Sequence, residues 1–207
     1  MNMTAGFLVP TGPLVVEQII KRSRFITVLE PVQSAAEARA LQARLRAEHP
    51  DASHHCLAFN AGPPGSTRDI GCSDDGEPAG SAGKPMLNVV LGADVGQFAV
   101  VVVRYFGGTK LGVGGLVRAY GGCVKDVLAQ LETKPFVPHM TLQLQCDYPD
   151  LSLVEHLLSQ HHGHIVEQHY GQQIELQLSL PQAQQQAFCA ALADGSRGRL
   201  LPTLMTD

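Results

Sequence analysis

Residues 98–122 read FAVVVVRYFGGTKLGVGGLVRAYGG: an unbroken apolar run, then Arg104-Tyr105-Phe106, then seven glycines within positions 107–122. Nothing polar interrupts Ala99–Val103, so this stretch predicts a strand buried on both faces. Beyond the glycines, Leu116, Tyr120, Val124, Val127, Leu128 and Leu131 fall on one apolar stripe and predict a helix to about Leu131. Glycine inside a helix costs roughly 0.5–1 kcal/mol relative to alanine. The strand–glycine–helix passage therefore implies a sharp turn, a close packing or a close approach to a ligand.

Outward from that passage, strands are expected at Leu14–Ile19, Phe25–Glu30 and His54–Asn60. Ser34 is positioned to cap a helix from Ala35 to about Glu48, and Ser81 to cap a short helix over Gly83–Gly92. Residues 61–73 read as a long polar loop. A compositional change falls at Thr133–Pro138. Residues 1–135 hold 13 Lys+Arg against 12 Asp+Glu, whereas the other 72 hold 2 against 7 together with six of the nine histidines. This sets expected domains at 1–135 and 136–207 with a linker between them. The second part predicts a strand at Thr141–Asp147, a helix at Leu151–Gln160, a hairpin of Ile165–Tyr170 and Gln173–Leu180 about Gly171, a helix opened by Pro181 and a last strand at Arg199–Leu204. That βαββαβ order points to a ferredoxin-like split sandwich.

Five scattered cysteines without a CxxC suit reduced thiols and a cytoplasmic protein. No run of eighteen apolar residues marks a membrane span, and no signal peptide is evident. The net charge of −4 argues against a generic polyanion binder. The local charge is another matter. Arg104, Gly107, Gly108, Lys110, Gly112, Gly114 and Gly115 form a phosphate-compatible turn, because backbone N–H groups at a helix N-terminus attract anions. Neither the P-loop nor the dinucleotide spacing is met. Arg118, Gly121, Gly122 and Lys125 share one helix face, opposite the apolar stripe. The competing reading is glycine used for packing and cations in solvent.

Asp74-Asp75-Gly76-Glu77 places three carboxylates in four positions. They suit a hard cation, acid–base work, or ion pairs to Arg104, Lys110 or Lys84. His54-His55-Cys56 offers at most two ligands on one side of a strand, too few for zinc. His161-His162-Gly163-His164 reads as a surface turn. No metal site, cofactor motif or catalytic residue is assigned.

SDDGEPAGSAGKPML (73–87) followed by VVVRYFGGTKLGVGGLVRAYGG (101–122) resembles the signature of the IMPACT/YigZ family. SRFI (23–26) and HHCLAF (54–59) match earlier segments of that family, and the length and segment order resemble its bacterial two-domain members. The resemblance implies an α+β protein with an N-terminal domain like domain 2 of ribosomal protein S5 and a ferredoxin-like C-terminal domain. It implies a non-enzymatic binding protein linked to translation or its regulation, with RNA, the ribosome or a translation factor as partner. Eukaryotic relatives restrain a translation-initiation kinase and carry an RWD domain that has no counterpart in these residues. The alternative expectation is an enzyme that binds a phosphorylated ligand on the glycine loop and uses the Asp74-Asp75-Gly76-Glu77 carboxylates.

Overall fold

The computed structural model describes residues 6–204, in two compact units, one ending at Phe136 and the other starting at Val137. In the first unit β1 (Leu8–Pro10), β2 (Leu14–Ile20), β3 (Ser23–Pro31), α1 (Ala35–Glu48), β4 (His54–Asn60), β5 (Ile70–Ser73), α2 (Gly83–Leu91), β6 (Phe98–Tyr105), α3 (Val113–Ala129) and β7 (Thr133–Pro135) follow in chain order. Five of the strands make an antiparallel sheet in the order β2-β3-β6-β4-β5.

β6 is central, and its alternation explains why the sequence shows none. Phe98, Val100 and Val102 face a core made with Met86 and Val90 of α2 and Leu116, Tyr120, Val124 and Val127 of α3. Ala99, Val101 and Val103 face the opposite core, which is closed by Ala38, Leu41 and Leu45 of α1. With helices on both sides, every position from Phe98 to Val103 is buried, and β-branched residues suit each of them. Ser34 caps α1 as expected: its Oγ accepts from Glu37 N at 3.2 Å, while Glu37 accepts in return from Gln33 N at 2.9 Å.

Two short strands lie where sequence suggested loop and linker. β5 sits inside the 61–73 stretch and pairs with β4. Its Gly71 lies against the Phe59 ring, 2.6 Å from where a Cβ would stand, so the residue that weakens the strand signal is required by packing. β7 pairs with β1 as a separate two-stranded ribbon. Phe136 N donates to Phe7 O at 2.6 Å, and the two rings stack at 4.8 Å. The first part of the 133–138 stretch is therefore structured.

The second unit runs β8 (His139–Cys146), α4 (Leu151–Gln160), β9 (His164–Tyr170), β10 (Ile174–Pro181), α5 (Gln185–Gly195) and β11 (Thr203–Leu204). Its antiparallel sheet has the order β11-β8-β10-β9, which is the ferredoxin-like arrangement of a βαββαβ chain. Leu142, Leu144, Leu176 and Leu178 pack on Val154, Leu158, Phe188 and Leu192. Gln143, Gln145 and Glu175 on the other sheet face are exposed. The final strand is shorter than expected, since it covers Thr203–Leu204 and not Arg199–Leu204.

Candidate functional site

The 74–77 loop leaves β5 and turns into α2, and its carboxylates are held by this turn. Asp74 Oδ1 accepts from Ala82 N at 2.9 Å and Gly83 N at 2.8 Å, and Oδ2 accepts from Gly80 N at 2.8 Å. Asp74 therefore caps α2. Ser81, the residue expected there, is buried and its hydroxyl bonds to nothing among the described residues. Burial would raise the Asp74 pKa, but the N–H groups of Gly80, Ala82 and Gly83 outweigh it and hold it below the usual value. Asp75 accepts from His55 N at 2.6 Å and pairs with Arg46. Its carbonyl lies 2.9 Å from His54 Nδ1.

Glu77 is buried. Its Oε1 accepts from Arg104 Nη1 at 2.6 Å and from Tyr120 OH at 2.7 Å. Burial first, then neighbouring Cys56 and Glu77, raises the Tyr120 pKa, so the phenol stays protonated and donates. Cys56 Sγ donates to Asp74 O at 3.0 Å, and burial pushes this thiol up to about 12, which leaves it inert. His55 is buried in the same shell, with Nε2 3.1 Å from His49 O. The His54-His55-Cys56 segment thus braces the acidic loop. Among the described residues no group of three or more His, Cys, Asp or Glu side chains is placed to hold a metal ion.

Arg104, grouped from sequence with the glycine turn and also offered as an ion-pair partner of the acidic loop, is buried and makes that pair with Glu77. Besides Glu77 it donates to Ser23 Oγ at 3.2 Å, and its guanidinium carbon lies 5.5 Å from the Phe25 ring centre and 5.6 Å from that of Phe106. Sequence reasoning assigned no role to Ser23 or Ser53, and both hold the glycine loop. Ser23 Oγ accepts from Gly107 N at 3.3 Å, and Ser53 Oγ accepts from Phe106 N at 3.2 Å. Gly107 approaches the β2–β3 turn so closely that a Cβ would fall 1.9 Å from Arg22 O. The matched SRFI segment was the available signal for Ser23.

Gly112 begins α3 with φ 73° and ψ 162°, a conformation open to glycine and strained for other residues. It supplies no side-chain cap, and the first helical bond runs from Leu116 N to Gly112 O. The N–H groups of Val113, Gly114 and Gly115 precede that bond and have no partner within the helix.

The two faces of α3 differ completely. Leu116, Ala119, Tyr120, Cys123, Val124 and Val127 are buried. Arg118 and Lys125 are exposed, and neither is ion-paired among the described residues. At Gly114 and Gly122 no heavy atom lies within 4 Å of where a Cβ would stand, and Gly121 touches only Pro85 O and Val89 at ordinary contact distance. Gly114 and Gly122 therefore pack against nothing, whereas Gly121 faces α2.

Between the two loops lies a cavity of about 320 Å³ lined by Glu77, Pro78, Arg104, Phe106, Lys110, Leu111, Gly112, Val113 and Leu116. Both sequence signals converge here. Lys110 and Gly108 are exposed at this loop.

Residues 21–128 match the Impact N-terminal domain, and residues 144–199 match a domain of unknown function, DUF1949. IMPACT family member YigZ of Escherichia coli K12 is 48% identical over 195 residues, covering 94% of this chain and 96% of that protein. The chain belongs to the IMPACT family. An IMPACT family member of Haemophilus influenzae is 44% identical over 201 residues, with 97% and 98% covered. A crystal structure described only as that of a hypothetical protein superposes with a TM-score of 0.78 at 46% identity, covering 99% of this chain and all of the other. The Impact N-terminal match takes in both loops and α3 as far as Leu128, so every residue of the cavity lies within the family domain. Among the described residues no helix is long and apolar enough to cross a membrane.

Proposed function

We propose that this protein is a non-enzymatic RNA-binding protein associated with translation, which holds phosphates on the open face of α3. The observation that carries this reading is the pairing of two unpartnered, exposed cations seven residues apart, Arg118 and Lys125, with bare backbone at Gly122 between them. Seven residues is about two helical turns, so both cations project the same way. Glycine between them lets a phosphate chain approach the helix without meeting a side chain. Lys110 and the N-terminal N–H groups of α3 extend the same positive field. The five cysteines are unpaired, which fits a reducing, cytoplasmic setting.

The enzymatic alternative finds no support in the carboxylates: Asp74 caps α2, Asp75 binds Arg46 and the His55 backbone, and Glu77 neutralises Arg104. The test is sedimentation of the protein with ribosomes from cell extract, with and without ribonuclease. Ribonuclease-sensitive co-sedimentation that is lost in Arg118→Ala/Lys125→Ala supports the reading. Association that survives both treatments points to a protein partner and overturns it.

A further inference from the structure

We infer that the cavity between the two loops takes a single unstacked nucleotide of an RNA strand, with its base on Phe106 and its phosphate at the N-terminus of α3. The inference rests on the RNA reading above and adds a second contact of a different kind, one that only an unpaired base can make.

Phe106 is a large apolar side chain that is 49% exposed at a cavity to which Pro78, Leu111, Val113 and Leu116 add apolar surface. One side of its ring is backed by the Arg104 guanidinium, whose carbon lies 5.6 Å from the ring centre. The backbone at Phe106 and Gly107 is tied down by Ser53 and Ser23, so the ring stands on a fixed platform. A rigid, exposed aromatic with a cation behind it is what a nucleobase stacks on. The cavity volume of about 320 Å³ lies at the lower end of small-ligand sites, about 300–1,000 Å³, and suits one base rather than a larger ligand.

The other end of the cavity is suited to an anion. Gly112 and Val113 line it, and they begin a 17-residue helix whose first N–H groups are uncapped. Arg104 supplies the independent sign. It is 4% exposed, it lines the cavity, and its Nε–H finds no acceptor among the described residues. A buried donor without an acceptor is a cost that proteins seldom carry. Glu77 neutralises the guanidinium through Nη1, so Arg104 contributes an unmet donor and no net charge, and the positive charge at this cavity is that of Lys110. Lys110 lines the cavity from the exposed side of the loop and adds a point positive charge there. A paired base inside a duplex cannot reach Phe106, whereas a base in a single strand can.

The chain contains no tryptophan. A Phe106→Trp variant of this 207-residue chain therefore carries one indole, placed where the base is expected. The probes are a twelve-nucleotide oligo(A) strand and a twelve-base-pair RNA duplex, each titrated at low salt. The expected result is quenching of the indole by the single strand and not by the duplex. In parallel, Phe106→Ala should weaken single-strand binding about 5- to 150-fold, the range of one lost base stack, and leave duplex binding unchanged. Thermal unfolding of Phe106→Ala provides the control on folding. If the wild-type protein binds both RNAs but the indole is not quenched and Phe106→Ala binds normally, this inference is overturned while the phosphate-binding face stands. If the wild-type protein binds neither RNA, both readings fall together.

Discussion

Two charged segments of the N-terminal unit, 74–77 and 107–125, are built to opposite ends. In the acidic loop every carboxylate is occupied by the protein itself: Asp74 by three backbone N–H groups, Asp75 by Arg46 and His55, Glu77 by Arg104 and Tyr120. In the glycine-rich segment Lys110, Arg118 and Lys125 are exposed and lack ion pairs among the described residues. A count of charges by sequence makes the two segments look equally chemical. Their contacts show that the carboxylates of the first are engaged within the protein, whereas the cations of the second are exposed and without ion pairs among the described residues.

The strongest test of this contrast is Glu77→Ala. It leaves the Arg104 guanidinium buried without its carboxylate, and breaking a buried ion pair by removing one partner costs about 3–5 kcal/mol. Urea unfolding should register a loss of this order. A change below about 1 kcal/mol would show that Glu77 is not structural and return the acidic loop to the list of candidate reactive groups.

Asp74→Ala comes next. Loss of the acceptor for the first N–H groups of α2 should cost about 1–2 kcal/mol by the same measurement. The pH dependence follows from the direction of its shift. A carboxyl held below its usual pKa when folded stabilises the protein above its unfolded value, near about 3.9, and loses that contribution as the pH falls through the folded value. Wild-type stability should therefore decline below about pH 4 more steeply than that of Asp74→Asn. Parallel profiles for the two proteins would contradict the capping role.

The scaffold was easier to read from the sequence than the site, for identifiable reasons. β6 and α3 announce themselves because a doubly buried strand and an amphipathic helix each impose a period on side chains. α1 was legible to its first and last residues through Ser34 and the Ala38, Leu41, Leu45 spacing. β5 was hidden because Gly71 must make room for Phe59, and β1 and β7 were hidden because three-residue strands have no period to detect. In the site, the sequence offered Arg104 both to the glycine turn and as an ion-pair partner of the acidic loop, and only the structure decides between them, by pairing it with Glu77. A cation at the end of an apolar strand looks exposed in one dimension, and its burial depends on Glu77, 27 positions earlier, and on Ser23, 81 positions earlier. Ser81 failed as a cap for a similar reason, since Asp74 reaches the same N–H groups from eight residues before Ala82.

On the glycine side of the comparison, Arg118→Ala/Lys125→Ala should leave the unfolding midpoint within about 0.5 kcal/mol of wild type, as exposed charges without partners generally do. Its effect belongs in binding. Loss of two phosphate contacts lowers the slope of log K against log salt by about 1.4–1.8, from roughly 0.7 per contact on single strands to 0.9 on duplexes. Unchanged slope and affinity would leave the basic face as ordinary solvated surface and remove the contrast with the acidic loop.

No loss of stability is expected for Gly122→Glu, which tests the same face by shape. A Cβ at this position meets nothing within 4 Å, so no neighbour has to move. Glutamate is the better helix former by somewhat under 1 kcal/mol, and position 122 is not at a helix end, since α3 runs from Val113 to Ala129. The introduced carboxylate stands four residues from Arg118 and three from Lys125, which is favourable, and four from Asp126, which is not; each such pair is worth about 0.2–0.5 kcal/mol. The sum is a neutral or slightly raised midpoint. Binding should respond in the opposite sense. The new side chain fills the gap through which a phosphate chain reaches the helix, and its charge repels that chain between the two cations that attract it. RNA affinity should therefore fall by more than in Arg118→Ala alone, in a protein at least as stable as wild type. If Gly122→Glu unfolds the N-terminal unit, the face is not open; if it binds RNA as wild type does, the face is open but unused.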